Sequence, residues 1–513
     1  MAKTGLLITS SLSRVSAVLQ AARKHVFKTL YIQIEPKNTN IQTIPVYCSA
    51  INRIYASSSV HCGHLDVRVL ITNLRGHRVQ KLSEQVDVLM FDSAVPQSEA
   101  SLLAEGLRAP SVVQLEQLEN VPDMGVFEEI DPTDSHRMYD NVVLGGTFDR
   151  LHMGHKILLS NAVLRTKKRL VVGVTDANMV KSKKLPELIL PVDQRIQDVT
   201  NFLRDIDHSL RYEVVPIADP FGPTATDPDM DLIVVSQETL RGGEKVNELR
   251  QKSNLNTLDV YCIKMLEVEP DVTDKEVKIS SSNQRMDMLG TRLRDPELKP
   301  HLERRPYLIG LVGGIASGKS IMCERLKRFG AAVIDCDKLA HSVYEPGTEC
   351  FNALKSHFGS GIVGSDGRID RKVLGSIVFN NKEKLEELNG IVWPELLKTV
   401  KEKVSEIRQS GKHQVVVIEA AVLIKAGWQR EVHEVWSLII PPEEAEKRLQ
   451  ERNNLTEQEA KMRIESQLSN QTVVQHSNVV FSSLWSYEFT EKQAVRAWEM
   501  LTKHLEAEMT SKI

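Results

Sequence analysis

Cysteine is scarce and scattered: six in 513 residues, at positions 48, 62, 262, 323, 336 and 350, with no CxxC pair. That spacing excludes zinc ribbons and thioredoxin-type redox motifs and points to free thiols in a reducing compartment. Aromatic residues make up only 5%, which argues against a stacking platform for single-stranded nucleic acid. An excess of one charge is also lacking. Lys plus Arg is 65 against 68 Asp plus Glu, a net charge of −3, so a bulk electrostatic affinity for nucleic acid is not expected, although a local basic patch is compatible with it. No apolar run approaches the roughly 20 residues of a membrane-spanning helix. The best candidate, residues 415–424, is short and holds Glu419. A transmembrane segment is therefore not expected, and peripheral membrane docking is left open. The sequence shows neither an internal repeat nor a low-complexity tract.

What is present describes a folded chain. Hydrophobic residues make up 41% and charged residues 26%, and the length suits about three domains at roughly 150 residues each. Two polar, proline-containing stretches, residues 128–140 and 291–306, have linker composition. They divide the chain into 1–127, 140–290 and 306–513. Short β-branched runs alternate with helical patterns in all three parts, which predicts α/β architecture with parallel sheets. Residues 1–34 carry Lys3, Arg14, Arg23, Lys24 and Lys28 and no acid. This composition fits a mitochondrial presequence, but a strand, an amphipathic helix over 11–25 and a second strand read better. Cytoplasmic and mitochondrial locations both stay open, as does the oligomeric state.

The middle part carries a dense motif. Residues 141–144 read as a buried strand that runs into Gly145, Gly146, Thr147, Phe148, Asp149 and then His152-Met153-Gly154-His155 at the start of a helix. Glycines let backbone approach a ligand, and a helix N-terminus offers unpaired amides and the positive end of its dipole. Histidines three apart share a helix face. The expected result is a polyphosphate pocket; a metal site is the weaker reading because no third ligand with metal spacing lies nearby. These residues resemble the first signature of the HxGH nucleotidyltransferase superfamily. Residues 279–285, with Ser280, Ser281, Ser282 and Arg285, resemble its second signature. The runs around Lys183 and Arg241 resemble the phosphopantetheine adenylyltransferase branch. The resemblance implies a Rossmann-like fold, ATP contacts from Gly145, Gly146, Thr147, Ser280, Ser281, Ser282 and Arg285, and catalysis by His152 and His155 with Lys183 and Arg241. The implied nucleophile is a phosphate monoester, already anionic, so the chemical demand is charge stabilisation rather than a general base.

The last part opens with a strand at 307–312 followed by Gly313-Gly314-Ile315-Ala316-Ser317-Gly318-Lys319-Ser320 and a helix. This is GxxxxGKS in strand–loop–helix context, with Gly313 and Gly318 shaping the loop, Lys319 reaching the β/γ-phosphates and Ser320 binding Mg²⁺. Asp335 and Asp337 follow the next strand, where a carboxylate can accept the proton of a hydroxyl; helix capping is the plainer role for Asp335. Residues 367–379 and the run from Arg448 through Arg452 to Gln467 resemble the dephospho-coenzyme A kinase family, in which the latter forms a lid whose arginines screen the migrating phosphoryl group. That implies a nucleoside-monophosphate-kinase-like P-loop fold. Trp393-Pro394, Glu419 and Ser482-Ser483 depart from that family's pattern.

An adenylyltransferase followed by a kinase is similar to the bifunctional coenzyme A synthases of animals. The resemblance implies ATP, 4′-phosphopantetheine and dephospho-CoA as substrates, and Mg²⁺ as cofactor. Two rivals are a nicotinamide-nucleotide adenylyltransferase fused to a ribosylnicotinamide kinase, and a nucleotide-binding scaffold without turnover. In the first 127 residues, segment 66–73 resembles the N-terminal part of the same synthases. His61-Cys62-Gly63-His64 reads as a surface turn rather than a metal site.

Overall fold

The short apolar runs become strands, and the periodic stretches between them become the helices that cover both faces. The computed structural model describes residues 1–10, 14–35, 43–76, 82–115, 137–263, 281–378, 381–453 and 455–510. The chain divides into two compact units, Met1–Gln284 and Arg285–Ile513. Most of the stretch at 128–140 lies outside the described residues.

The first unit holds two parallel sheets. One is built from β1 (Ala2–Thr9), β2 (Val26–Ile34), β3 (Asp66–Leu70), β4 (Val88–Phe91) and β5 (Ser111–Gln114), in the order β3-β2-β1-β4-β5. Helices α1 (Val15–Ala22), α2 (Ile44–His61) and α3 (Gln97–Leu107) accompany it. The other contains β6 (Tyr139–Gly146), β7 (Thr166–Thr175), β8 (Arg211–Ile217), β9 (Leu232–Val235) and β10 (Asp259–Cys262), in the order β10-β9-β6-β7-β8. Its helices are α4 (Met153–Arg165), α5 (Ala177–Val180), α6 (Val192–Ile206) and α7 (Leu240–Lys252). Counted from its own first strand, each sheet reads 3-2-1-4-5. The chain thus repeats a topology that its sequence does not show. The strand, helix and second strand expected near the start are β1, α1 and β2, and β1 pairs with both β2 and β4.

The two sheets share one apolar core, which runs from Leu7, Ile51 and Val69 to Ile157, Val172 and Phe202. α2 packs on α4, and α6 packs on β3. Helix α4 keeps no solvent-exposed face. It is buried nearly all round, including Lys156, Ser160, Asn161 and Arg165, because the N-terminal module covers its polar side. Asn161 bonds Asn52 at 3.1 Å, and Arg165 reaches the Cys48 thiol at 3.0 Å. The turn expected at 61–64 begins at the end of α2: His61 closes the helix, Cys62 is its buried cap, and Gly63 and His64 form an exposed turn.

The second unit is built on β11 (Tyr307–Gly313), β12 (Ala332–Asp335), β13 (Val415–Glu419), β14 (Glu434–Ile439) and β15 (Val479–Ser482), in the parallel order β12-β13-β11-β14-β15. Its central strands are buried on both faces and read as unbroken apolar runs, as parallel strands between helix layers must. α8 (Ser281–Met288) straddles the division between the units. Then follow α9 (Lys319–Arg328), α10 (Cys336–Val343), α11 (Glu349–Phe358), α12 (Arg371–Val378) and α13 (Lys382–Ser410), the last carrying Trp393-Pro394 inside it. α14 (Pro442–Asn453), α15 (Glu457–Glu465), α16 (Asn470–Gln475) and α17 (Tyr487–Thr510) complete the unit. Among the described residues no helix is long and apolar enough to cross a membrane.

The stretch at 291–306 has linker composition but is fastened down. Lys299 donates to the carbonyls of Gln429 and Val432, and Arg305 to that of Leu505 at 3.1 Å. Arg292 pairs at 2.5 Å with Glu434, which is fully buried and also accepts from the Tyr307 hydroxyl and the Trp436 indole, each at 2.9 Å. Removing one partner of such a pair strands a buried charge, so Arg292→Met is expected to cost the second unit about 3–5 kcal/mol. Chemical unfolding checks this; a loss under about 1 kcal/mol would mean that the pair does not hold the segment.

Candidate active sites

Both candidate sites lie where a sheet's first strand ends and a helix begins. In the middle module this is the carboxyl edge of β6, next to β9, where the strand order reverses; crevices for ligands open at such switch points. Phe148 and Arg150 adopt left-handed backbone angles, φ 50° and 49°, to turn the chain into α4. Phe148 is buried under Gly146, where an added Cβ would lie 3.0 Å from its ring. A side chain at Gly146 would therefore press on the Phe148 ring. Gly145 is exposed and would tolerate a Cβ. The loop is held from below by Arg195, a buried guanidinium that the sequence reading missed. It donates to the carbonyls of Thr147 (2.6 Å), Thr175 (2.8 Å) and Leu190 (2.9 Å). Asp149, also buried, accepts from Arg150 and from the Leu190 amide.

His152 is the N-cap of α4. Its Nδ1 accepts from the Gly154 amide at 3.1 Å, which places the proton of the neutral ring on Nε2, 3.2 Å from the Ser281 hydroxyl. His155 stacks on it with ring centroids 3.8 Å apart and leans on Phe148 at 5.2 Å. The His155 Nδ1 is buried without a hydrogen-bond partner among the described residues. Burial, offset in part by Asp149, lowers His152 to about 4. Burial and the neighbouring His152 hold His155 well below the ordinary imidazole range. Both rings are thus neutral at pH 7.

The remaining expected residues are placed unevenly. Lys183 is exposed in the turn after α5, and Arg241 is exposed in the first turn of α7. They follow β7 and β9, so both emerge on the histidine edge of the sheet. Ser281 and Ser282 open α8, and Arg285 on the same helix is buried at 1% exposure. Ser280 lies outside the described residues.

In the second unit, β11 runs through Gly313 into the loop and then α9. A Cβ at Gly313 would lie 2.7 Å from the Leu438 carbonyl oxygen and from Ser317 Oγ, and Gly318 has φ +90°. Lys319 folds onto the Gly313 and Gly314 carbonyls at 2.9 and 3.2 Å. Burial lowers its ammonium below the usual range; Glu419 and Asp337 oppose this, and Arg452 adds to it. Asp337 and Arg452 are exposed, as is the Ser320 hydroxyl. Asp335 is committed elsewhere: it caps α10 through the Lys338 amide and pairs with the Lys338 ammonium at 2.9 Å.

Glu419, at first only a departure from a family pattern, ends β13 opposite Leu311 and Asp335 and accepts from the Cys323 thiol at 3.1 Å. Two residues of the run 448–467 touch the loop. Gln467 accepts from the Ile315 amide at 2.7 Å, and Arg448 donates to the Ala316 carbonyl and to Ser483. The described residues contain no cluster of acidic, His or Cys side chains that could cage a metal alone.

Comparison with known proteins agrees with this geometry. Residues 307–484 match the dephospho-CoA kinase family. A dephospho-CoA kinase of Carboxydothermus hydrogenoformans is 40% identical over 186 residues, covering 36% of this chain and 90% of that protein. The chain belongs to the dephospho-CoA kinase family. Dephospho-CoA kinases of Moorella thermoacetica (34% identical, 39% of this chain and 94% of that one) and Geobacter sulfurreducens (37%, 37% and 96%) agree. Residues 143–288 match a second family, described as cytidylyltransferase-like. A chain of the dephospho-CoA kinase family therefore carries a nucleotidyltransferase module ahead of its kinase region.

The neutral histidines have a measurable consequence. Below the ordinary imidazole value of 6.5, an unfolded chain takes up a proton that folded His152 refuses until about pH 4. Stability is therefore lost as pH falls through that window. His152→Gln is expected to remove up to about 1.4 kcal/mol per pH unit of the acid-side slope. Denaturant unfolding at stepped pH reads it; an unchanged slope would mean that His152 is charged in the folded state.

Proposed function

We infer that the chain carries out two consecutive transfers. In the first, ATP and 4′-phosphopantetheine give dephospho-CoA and pyrophosphate. In the second, dephospho-CoA and ATP give CoA and ADP. The observation that carries this reading is a stacked HxGH pair at a strand end followed, in the same chain, by an intact P-loop in a dephospho-CoA kinase region. The order along the chain is the order of the reactions.

In the first transfer the phosphate oxygen of the acceptor forms a bond to the α-phosphorus of ATP, and the bond to pyrophosphate breaks. No proton has to leave the nucleophile, so the site's task is to accommodate negative charge. The α4 amides, the His152 Nε2 proton, His155, and the exposed Lys183 and Arg241 serve that task. The glycine-rich turn of Gly145, Gly146 and Thr147 lets ATP approach the backbone, with Ser280, Ser281, Ser282 and Arg285 assigned to the same nucleotide.

In the second transfer the ribose 3′-hydroxyl attacks the γ-phosphorus and ADP leaves. This nucleophile does carry a proton, and Asp337, the exposed carboxylate in the first turn of α10, is assigned to accept it. Lys319 and Arg452 neutralise the migrating phosphoryl group. Mg²⁺, bound through Ser320, would supply further charge neutralisation on the phosphates.

Product analysis with ATP and either 4′-phosphopantetheine or nicotinamide mononucleotide tests the substrate class; NAD formation without CoA would overturn it. His155→Ala is expected to lower dephospho-CoA formation by about 10²-fold or more and spare the kinase step. Lys319→Ala is expected to do the reverse, stalling at dephospho-CoA; loss of both steps in either variant would refute independent sites. Asp337→Asn is expected to lower kinase kcat by about 10²-fold or more while ATP KM changes little. An unchanged rate would reduce Asp337 to a helix-end residue.

A further inference from the structure

Beside the histidine pair, the N-terminal module makes a contact that the chemistry above does not use. Lys156 directly follows His155 in the first turn of α4 and is 7% exposed. Its ammonium donates to Asp66 Oδ1 at 2.5 Å and to the Val67 carbonyl at 2.8 Å, both on β3 of the other sheet. Asp66 Oδ2 accepts from Arg68 Nε at 2.9 Å. Arg68 pairs in turn with Asp205 on α6 at 2.5 Å, and Asp205 also accepts from the Tyr31 hydroxyl at 2.8 Å and Ser83 Oγ at 2.7 Å. Charges therefore alternate along Lys156, Asp66, Arg68 and Asp205. The two ends belong to the module that holds the histidines, and the two middle members belong to the N-terminal module.

The backbone follows the same line. The Ile71 amide donates to the Ile206 carbonyl at 2.7 Å. Arg75 reaches the carbonyls of Val163 and Thr166 and pairs with Asp207, which is fully buried. Residues 66–75 are thus a docking strip that fixes α4 at its first turn and its last and α6 at its end. A buried ammonium without a carboxylate would have to move toward water or lose its proton. Either change acts one residue from His155, on the turn that sets the 3.8 Å ring stack.

We propose that the N-terminal module braces the adenylyl-transfer site, and that Asp66 is a positioning residue acting through Lys156 on the histidine-bearing turn of α4. The proposal rests on the reading of His152 and His155 given above. It assigns the N-terminal module a role in the first transfer and none in the second.

The test uses the full chain carrying Asp66→Asn, Asp66→Glu, Lys156→Met or Asp66→Asn with Lys156→Met. Dephospho-CoA formation from 4′-phosphopantetheine and CoA formation from dephospho-CoA are followed separately. Asp66→Asn is expected to lower kcat of the first reaction roughly tenfold or more, with KM changed less than about twofold. The second reaction should proceed at the parental rate. Asp66→Glu should recover most of the loss, and the double variant should be no slower than Lys156→Met alone. A parental first rate in Asp66→Asn overturns the proposal, as does an equal loss in both reactions. Should Asp66→Asn fail to fold, Lys156→Met still decides, because Asp66 then keeps Arg68 as its partner. A parental first rate in that variant also overturns the brace. A parent chain that makes no dephospho-CoA at all overturns the adenylyltransferase reading itself, which separates the two failures.

Discussion

A parallel strand running straight into the N-terminus of a helix is the junction around which each candidate site is arranged. The first amides of a helix have no partner within it, and the dipole adds positive potential at the same point. β6 into α4 and β11 into α9 both exploit this. Turning that tightly has a cost, because the chain must pass through left-handed conformations at Phe148, Arg150 and Ala316 as well as Gly318. For residues with a side chain this is of order 1–3 kcal/mol each. Such turns persist only where their surroundings fix them.

The surroundings do so in different ways. The first turn is fixed from inside by Arg195 and Asp149, which engage carbonyls and amides of three loops. Its electrostatics are mild before any ligand arrives: two neutral imidazoles and a set of amides. The second is fixed by glycine geometry and by contacts from Gln467 and Arg448. There an ammonium stands in the loop from the outset, folded onto the Gly313 and Gly314 carbonyls. The difference follows the nucleophiles. A phosphate brings its own charge to the first site, whereas a hydroxyl must be stripped of a proton at the second.

Legibility in the sequence followed distance along the chain. The glycine turns, both histidines and the P-loop lysine are local patterns within a dozen residues, and they could be read directly. Asp335 could equally be read as a cap. Lys156 could not be interpreted alone, since its partner Asp66 lies 90 positions away. Its place among the apolar residues of α4, with Asn161 and Arg165 further along the same helix, was the available signal. Arg195 and Glu419 were missed because their roles exist only once strand ends are brought side by side. The repeated strand order was invisible for a related reason: topology is carried by apolar patterning, which many sequences satisfy equally well.

Glu434 has one more implication. The family match begins at residue 307, yet the charge that neutralises this buried carboxylate comes from Arg292. Homology and physical autonomy therefore start at different places. A kinase fragment cut at the homology boundary would keep every residue of its nucleotide loop and still lack the counter-ion for its own interior. The smallest self-sufficient fragment has to begin ahead of Arg292, in the segment whose prolines and charges look most like a place to cut.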